Sequence, residues 1–254
     1  MDYYEQIFKR KSFHFFKESL PIEERDIAKL NEFIKTLKPL YDGIKTEIVI
    51  VPEHETTCKR GGEYCILFYS EKRGEYQRNV GYIGEQIDLY LASENIGALW
   101  YGIGKPQNMT RNGLDFVIMI SIAAMPQHKF RTDMFKSKRK PLEEIWSGET
   151  LGVAEITRFA PSACNTQPWI VENYGGELSV YRYKKPGKRG IMPADKVRYY
   201  NKIDIGIYLF ILEVCLEHEL RAFERLLYND TSDDSIEKTL IAKYVICEAC
   251  AHKY

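Results

Sequence analysis

The sequence has no surplus of charge in either direction: 36 Lys and Arg balance 36 Asp and Glu over 254 residues. A surface built to hold a polyanion needs an excess of cations, so this balance speaks against nucleic acid as a partner. Long hydrophobic runs are missing too. The longest, Phe116 to Met125 and Gly206 to Leu216, fall short of the roughly 20 residues that cross a bilayer. The opening residues Met1-Asp2-Tyr3-Tyr4-Glu5 lack the basic and apolar regions of an export signal. The expectation is a soluble, cytoplasmic protein with no membrane association. Cysteine is sparse, with six residues, and in that compartment they are expected as reduced thiols. Cys247-x-x-Cys250 with His252 is half of a zinc site, but no second pair of ligands stands at matching spacing, so no metal is expected. Nor is there a convincing Ser-His-Asp set.

What is present is an ordinary globular composition, 44% hydrophobic and 28% charged. The length allows one large core or two closely packed lobes. A short helix is expected over residues 3–11, with Tyr4, Ile7 and Phe8 on one face, ending in Arg10-Lys11-Ser12-Phe13-His14. Two cations and a hydroxyl in a row suit a phosphate, because hydrogen bonds to an anion are charge-assisted. A helix over about 22–38 presents Ile27, Leu30, Phe33, Ile34 and Leu37 and stops at Lys38-Pro39. Strands are expected at 47–51 and 64–69, then a long helix over about 75–96 and a buried strand at 116–122. The second half reads as a helix through Val153, Ile156 and Phe159, a hairpin of 169–173 with 178–183, a basic loop from 184 to 198, a core helix over about 202–222, and a last strand at 242–247.

Between the 153–159 helix and the 169–173 strand lies Ala160-Pro161-Ser162-Ala163-Cys164-Asn165-Thr166-Gln167-Pro168-Trp169. The two prolines fix φ near −65° and force a non-helical loop. The loop carries a hydroxyl, two carboxamides and small residues. It can bring backbone N–H groups and amide side chains up to a flat, polar ring edge. This stretch resembles the flavin-binding loop of the FMN-dependent nitroreductase family, whose pattern is Ala-Pro-Ser, two variable residues, Asn, one variable residue, Gln-Pro-Trp. Every fixed position is present.

The resemblance extends to the N-terminus, where the family grips the phosphate with Arg-Arg-Ser, a hydrophobic residue and Arg. Here Lys11 stands for the second Arg, keeping the charge but losing the planar fork, and His14 stands for the third. The resemblance implies FMN as cofactor and NAD(P)H as electron donor, with a small organic acceptor such as a nitroarene or quinone reduced in a ping-pong cycle. The flavin carries that chemistry, so no catalytic side chain is expected. Arg10, Lys11, Ser12 and Arg139, with Lys138 beside it, are implied for the phosphate. Ser162, Asn165 and Gln167 are implied for the ring edge, in a loop shaped by Pro161 and Ala163. Gly102-Ile103-Gly104 would let the backbone approach the ring and offer an N–H to flavin N5. Trp100, Tyr101 and His14 suit either substrate or core. Two other readings stay open: a flavin-binding protein without turnover, and another flavin reaction such as reductive dehalogenation.

The halves also match one another at a shift of 122 residues. Leu37-Lys38-Pro39 falls on Phe159-Ala160-Pro161, strand 47–51 on 169–173, and Ile83-Gly84 on Ile205-Gly206. The family builds two flavin sites from two identical subunits. This chain looks like that dimer fused into one polypeptide, with halves 1–145 and 146–254. The first half carries the grip and the Gly loop, and the second carries the Pro-Ser loop. The mirror positions read Thr132-Asp133-Met134 and Leu40-Tyr41, which suit no flavin. The expected architecture is an α+β, nitroreductase-like fold of two similar lobes, with mainly antiparallel sheets and long helices at their interface. One FMN per chain is expected. A monomer is a natural state for such a pseudo-dimer.

Overall fold

The protein is described by a computed structural model for residues 1–183, 192–230 and 238–247. The chain divides into two compact units, Met1–Lys136 and Ser137–Tyr254.

In the first unit α1 (Tyr3–Lys9) is capped by Asp2, whose carboxylate accepts the Tyr4 N–H at 2.9 Å. It stops where Arg10 turns extended, at φ −55° and ψ 138°. Ser12 then forms a one-residue parallel bridge to Ala98, and the Phe13 N–H donates to Ala98 O at 3.0 Å. α2 (Glu24–Ile34) lays Phe33 flat on Tyr90, ring centres 4.0 Å apart. It ends at Ile34, earlier than its apolar spacing suggests: the amides of Lys35, Thr36 and Leu37 bond three residues back, and the Thr36 hydroxyl donates to Phe33 O at 2.8 Å. The sheet strands are β1 (Thr46–Pro52), β2 (Tyr64–Ser70), β3 (Ile96–Tyr101), β4 (Thr110–Arg111) and β5 (Leu114–Ala124), and α3 (Tyr76–Ser93) lies between β2 and β3 in sequence. The strand order is β1-β2-β5-β3, antiparallel throughout, with β4 folded back on β5. The β4–β5 turn is Asn112-Gly113, both at positive φ, as a tight hairpin of the right twist requires. α3 comes so close to β3 that a Cβ on Gly84 would stand 2.3 Å from the Trp100 ring.

The second unit contains α4 (Leu142–Ile145), β6 (Trp146–Gly148), α5 (Ala154–Thr157), β7 (Trp169–Tyr174), β8 (Glu177–Tyr183), α6 (Val197–His218), β9 (Phe223–Leu227) and β10 (Lys238–Ile246). Its sheet runs β6-β7-β8-β10-β9, with β6 parallel to β7 and the other pairs antiparallel. Setting β6 aside, this is the strand order of the first unit, again with the long helix after the second strand. β1 and β7, and α3 and α6, coincide at the 122-residue shift. β2 and β8 do not, because β7 and β8 are joined by the two-residue turn Gly175-Gly176, both at positive φ, while a longer loop joins β1 to β2.

Several sequence expectations shift. The helix before the Pro-Ser loop keeps only the four residues of α5. α6 begins at Val197, inside the stretch read as a basic loop, and ends at His218. β9 has no counterpart in the sequence reading: its residues alternate half-buried and exposed, with charges at Glu224 and Arg225. Residues 184–191 of the basic loop lie outside the described residues, as do Cys250 and His252 of the half zinc motif. Cys58, Cys65, Cys164, Cys215 and Cys247 are free thiols. No helix among the described residues is long and apolar enough to cross a membrane.

Candidate functional site

In the first unit Arg10 is almost wholly buried. Its Nε donates to Asp88 Oδ2 at 2.8 Å and its Nη2 to Ser12 Oγ at 3.1 Å. The same Asp88 oxygen accepts the Trp100 Nε1–H at 2.9 Å, so Trp100 faces this buried cluster. Burial works against the Arg10 charge, but Asp88 and Glu85 raise its pKa above the ordinary value. Glu85, on α3, is fully buried, and neither of its carboxyl oxygens has a hydrogen-bond partner. Burial, and then the charge of Asp88, push its pKa well above the carboxylate range. Lys11 turns away from this cluster and donates to Lys129 O at 2.9 Å.

The Gly102-Ile103-Gly104 loop follows β3, four residues after the Ala98 that pairs with Ser12. Its glycines differ in role. A Cβ on Gly104 would come within 2.6 Å of Met119 Sδ and of the Tyr101 ring, so packing alone demands glycine there. Ile103 is exposed, and its N–H has no partner among the described residues. The β1–β2 loop clasps the chain just beyond: Thr57 N–H donates to Lys105 O and Lys105 N–H to Thr57 Oγ1, both at 2.9 Å. Tyr101 is partly buried under the Arg60 guanidinium, and His14 is exposed.

In the second unit the Pro-Ser loop is wound tightly. Cys164, Asn165 and Gln167 all have positive φ, at 51°, 55° and 47°. Non-glycine residues seldom take this conformation, and three within four residues make a strained segment held by its surroundings. The Ser162 Oγ accepts the Gln167 N–H at 3.0 Å. The Gln167 side chain accepts the Lys140 N–H at 2.9 Å and donates to Asn165. Asn165 Nδ2 donates to Lys138 O at 3.0 Å, and Arg139 Nη2 to Phe159 O at 3.0 Å. The basic strip 138–140 is thus laced to this loop and lies inside the second unit, whereas the sequence expectation puts it in a first half ending at 145. The amides of Ser162 and Cys164 have no hydrogen-bond partner among the described residues.

α6 supplies the anchor that sequence reading missed. Asp204 Oδ1 accepts the Ala163 N–H at 2.9 Å, while its Oδ2 is buried without a partner. Burial raises its pKa to about 8, against the opposing pull of the Ala163 N–H and the Thr166 hydroxyl. Thr166 Oγ1 donates to Asn201 Oδ1 at 3.4 Å, and Trp169 stacks on Tyr208 with ring centres 4.6 Å apart. A signal for Asp204 was available: an acid flanked by apolar residues in Ile203-Asp204-Ile205-Gly206-Ile207 is out of place unless it holds something. Asp88, between Ile87 and Leu89, carries the same mark in α3.

Taken singly, the expected residues sort into two groups. Ser162 Oγ and the Gln167 amide are engaged within the loop. The backbone amides of Ser162 and Cys164 in the second unit, and of Ile103 in the first, have no hydrogen-bond partner among the described residues. An edge carrying hydrogen-bond acceptors suits the two open amides of the Pro-Ser loop, and, separately, an anion suits the Arg10–Ser12 segment.

A family model described as "Putative TM nitroreductase" matches residues 2–215. A solved structure described as "a putative nitroreductase" from Thermotoga maritima is 19% identical, over 97% of this chain and 93% of that one, with a TM-score of 0.58. That likeness shows a shared fold across nearly the whole of both chains. A nitroreductase family protein from Clostridium difficile 630 is 13% identical over 59% of this chain and 99% of its own, with a TM-score of 0.45. One described as a "Putative NADH Oxidase" from Clostridium acetobutylicum is 17% identical over 55% and 96%, with a TM-score of 0.40. No curated protein matches the chain.

Proposed function

The chain belongs to the nitroreductase family described by that model and has its α+β fold, and from this premise we propose that it is an FMN-dependent oxidoreductase taking electrons from NAD(P)H. The acceptor is a small organic molecule of the nitroarene or quinone type. The observation that carries the reading is the Pro-Ser loop: three residues held at positive φ, a buried carboxyl fixing Ala163, and the amides of Ser162 and Cys164 left open. Strain of this kind persists where the surroundings over-determine it, and a ligand-binding loop is a natural place for it. FMN, when bound, supplies the hydride chemistry, with donor and acceptor using it in turn.

The protein's part is to bind and orient. The amides of Ser162 and Cys164 suit the acceptors on the isoalloxazine edge, with Asn165 beside them. The Ile103 N–H, on an exposed loop, suits N5. Arg10 and Ser12 suit the phosphate, and Arg10 keeps its charge because Asp88 sits against it. The family resemblance draws these sets from the two halves of a fused pseudo-dimer. The mirror positions Leu40-Tyr41 and Asp133 suit no second flavin, so one FMN per chain is expected.

An absorption spectrum of purified protein tests this directly. Flavin bands should appear, bleach on adding NAD(P)H without oxygen, and return with a quinone or nitroarene. Flavin released by denaturing fully loaded protein should be near one per chain. Protein that takes up no FMN overturns the reading. Bound FMN that NAD(P)H leaves oxidised favours a flavin-binding protein without turnover. A ratio near two refutes the single site.

A further inference from the structure

Residues 9–13 and 128–131 run side by side in the first unit. The Arg131 N–H donates to Lys9 O at 3.2 Å and Lys11 Nζ to Lys129 O at 2.9 Å. The Phe13 and Phe130 rings meet edge to face at 5.2 Å, and Lys9 Nζ stands 5.1 Å over the Phe130 ring. This pairing sets Arg131 against the start of the Arg10-Lys11-Ser12 segment.

The charges gathered there do not cancel. Asp88 answers Arg10 and shares one oxygen with Trp100. Glu85 is buried with neither carboxyl oxygen hydrogen-bonded, and burial, then the charge of Asp88, push its pKa well above the carboxylate range. Arg131 is half-buried, and its guanidinium makes no hydrogen bond or ion pair with any described residue. Its pKa falls to about 10, through burial and then the like charge of Arg10, with Asp88 opposing. Arg10 has its carboxylate, while Arg131, brought beside Lys9 by the backbone pairing, is a half-buried guanidinium with no paired counter-charge among the described residues. Such an arrangement is costly unless an anion completes it. Lys129, two residues earlier, pairs with Glu18 at 2.8 Å, so a lysine of the same segment has its counter-charge and Arg131 does not.

We propose that Arg131 is a further phosphomonoester contact, closing on the anion from the 128–131 segment while Arg10 and Ser12 meet it from the other. The proposal rests on the flavin reading above. It adds a residue that neither the N-terminal basic motif nor the 138–139 strip contains.

The test compares FMN with riboflavin, which has the same ring and no phosphate. Binding to flavin-free protein is followed by flavin fluorescence, for the parent and for Arg131→Gln, Arg131→Lys and Lys129→Gln. Arg131→Gln should weaken FMN by about tenfold or more, the scale of a lost hydrogen bond to a charged group, and leave riboflavin unchanged. Arg131→Lys should recover part of that loss, and Lys129→Gln should change little. Inorganic phosphate should compete with FMN in the parent and much less in Arg131→Gln. If Arg131→Gln binds FMN like a parent that prefers FMN over riboflavin, Arg131 is no phosphate contact, though the flavin reading stands. If Lys129→Gln weakens FMN equally, the effect is diffuse charge and the proposal is wrong. A parent that binds the two flavins alike has no phosphate anchor. One that binds neither overturns the flavin reading and the anchor with it. Should Arg131→Gln fail to fold, Arg131→Lys decides: it should bind FMN, but not riboflavin, more weakly than the parent, and equal FMN binding overturns the proposal.

Discussion

Two buried arginine–aspartate pairs, one in each unit, look alike and differ in what they leave over. In the second unit Arg182 meets Asp230 through two bonds, Nε to Oδ2 at 2.6 Å and Nη2 to Oδ1 at 3.1 Å, both carboxylate oxygens engaged. In the first, Asp88 gives Arg10 one oxygen, and that oxygen also serves Trp100. The Arg10 Nη2 is turned to Ser12 instead. A pair closed on both oxygens is a structural fastening. One closed on a single oxygen leaves guanidinium donors facing the segment where an anion is expected. The same contrast appears where the long helices hold the preceding loops. Asn79 and Asn201 stand at one register, 122 residues apart. Asn79 Oδ1 accepts two backbone amides, Leu40 at 2.9 Å and Tyr41 at 3.0 Å. Asn201 accepts one hydroxyl, and Asp204 holds the loop backbone. The first loop is tied shut by its helix, while the second is propped in a strained shape with amides to spare.

The largest expected effect breaks both ion pairs. Asp88→Ala and Asp230→Ala should each cost about 3–5 kcal/mol in unfolding free energy, since each strands a buried guanidinium. Only Asp88→Ala should also weaken FMN, measured on the folded fraction. Equal loss of flavin binding in both variants would mean the two pairs are not different in kind. A smaller effect separates the asparagines. Asn79→Ala strands two amides and should cost about 2–4 kcal/mol, while Asn201→Ala should cost about 1 kcal/mol, as read by urea unfolding. Reversed costs would mean the two loops exchange roles.

A further expected effect is a slope with pH. The folded pKa of Asp204, about 8, lies above the unfolded value near 3.8. Between them the folded state keeps a proton that the unfolded state has released, so stability falls as pH rises through this window and is fullest below it. The limiting slope is about 1.4 kcal/mol per pH unit. Asp204→Asn can still accept the Ala163 N–H but cannot titrate, so its stability should fall less than the parent's between pH 5 and 8. Parallel curves would show that Asp204 is ionised in the fold. Glu85 in the first unit, raised for the same first reason, acts with the same sign, and Glu85→Gln should flatten the curve in the same way.

The long, strongly periodic pieces were legible. Apolar recurrence located α3 and α6, and β-rich runs located β1, β2, β5, β7 and β8. The Ala-Pro-Ser to Gln-Pro-Trp pattern located the loop. What periodicity could not reveal is polar structure inside apolar elements. Asp88, Asn79 and Asp204 sit on helices whose apolar stripe accounts for their burial but not for their bonds. β9 escaped because a half-exposed edge strand with charges at Glu224 and Arg225 carries no apolar run. Gly104 was legible as glycine but not in its reason, which is the Met119 sulfur opposite. Arg131 was invisible, since only folding brings residues 9–13 and 128–131 together.

The basic strip 138–140 meets the Pro-Ser loop largely through main-chain atoms: Lys138 O, Lys140 N and Lys140 O accept or donate the bonds from Asn165, Gln167 and Arg158. The Lys138 side chain can therefore drift while the loop keeps its shape, whereas those of Arg139 and Lys140 donate to Phe159 O and Gln167 O. A single inserted or deleted residue cannot be absorbed so easily, because it would move every one of those atoms by one step along the strip. Among relatives of this chain, the strip should vary in letters at position 138 and hardly at all in length.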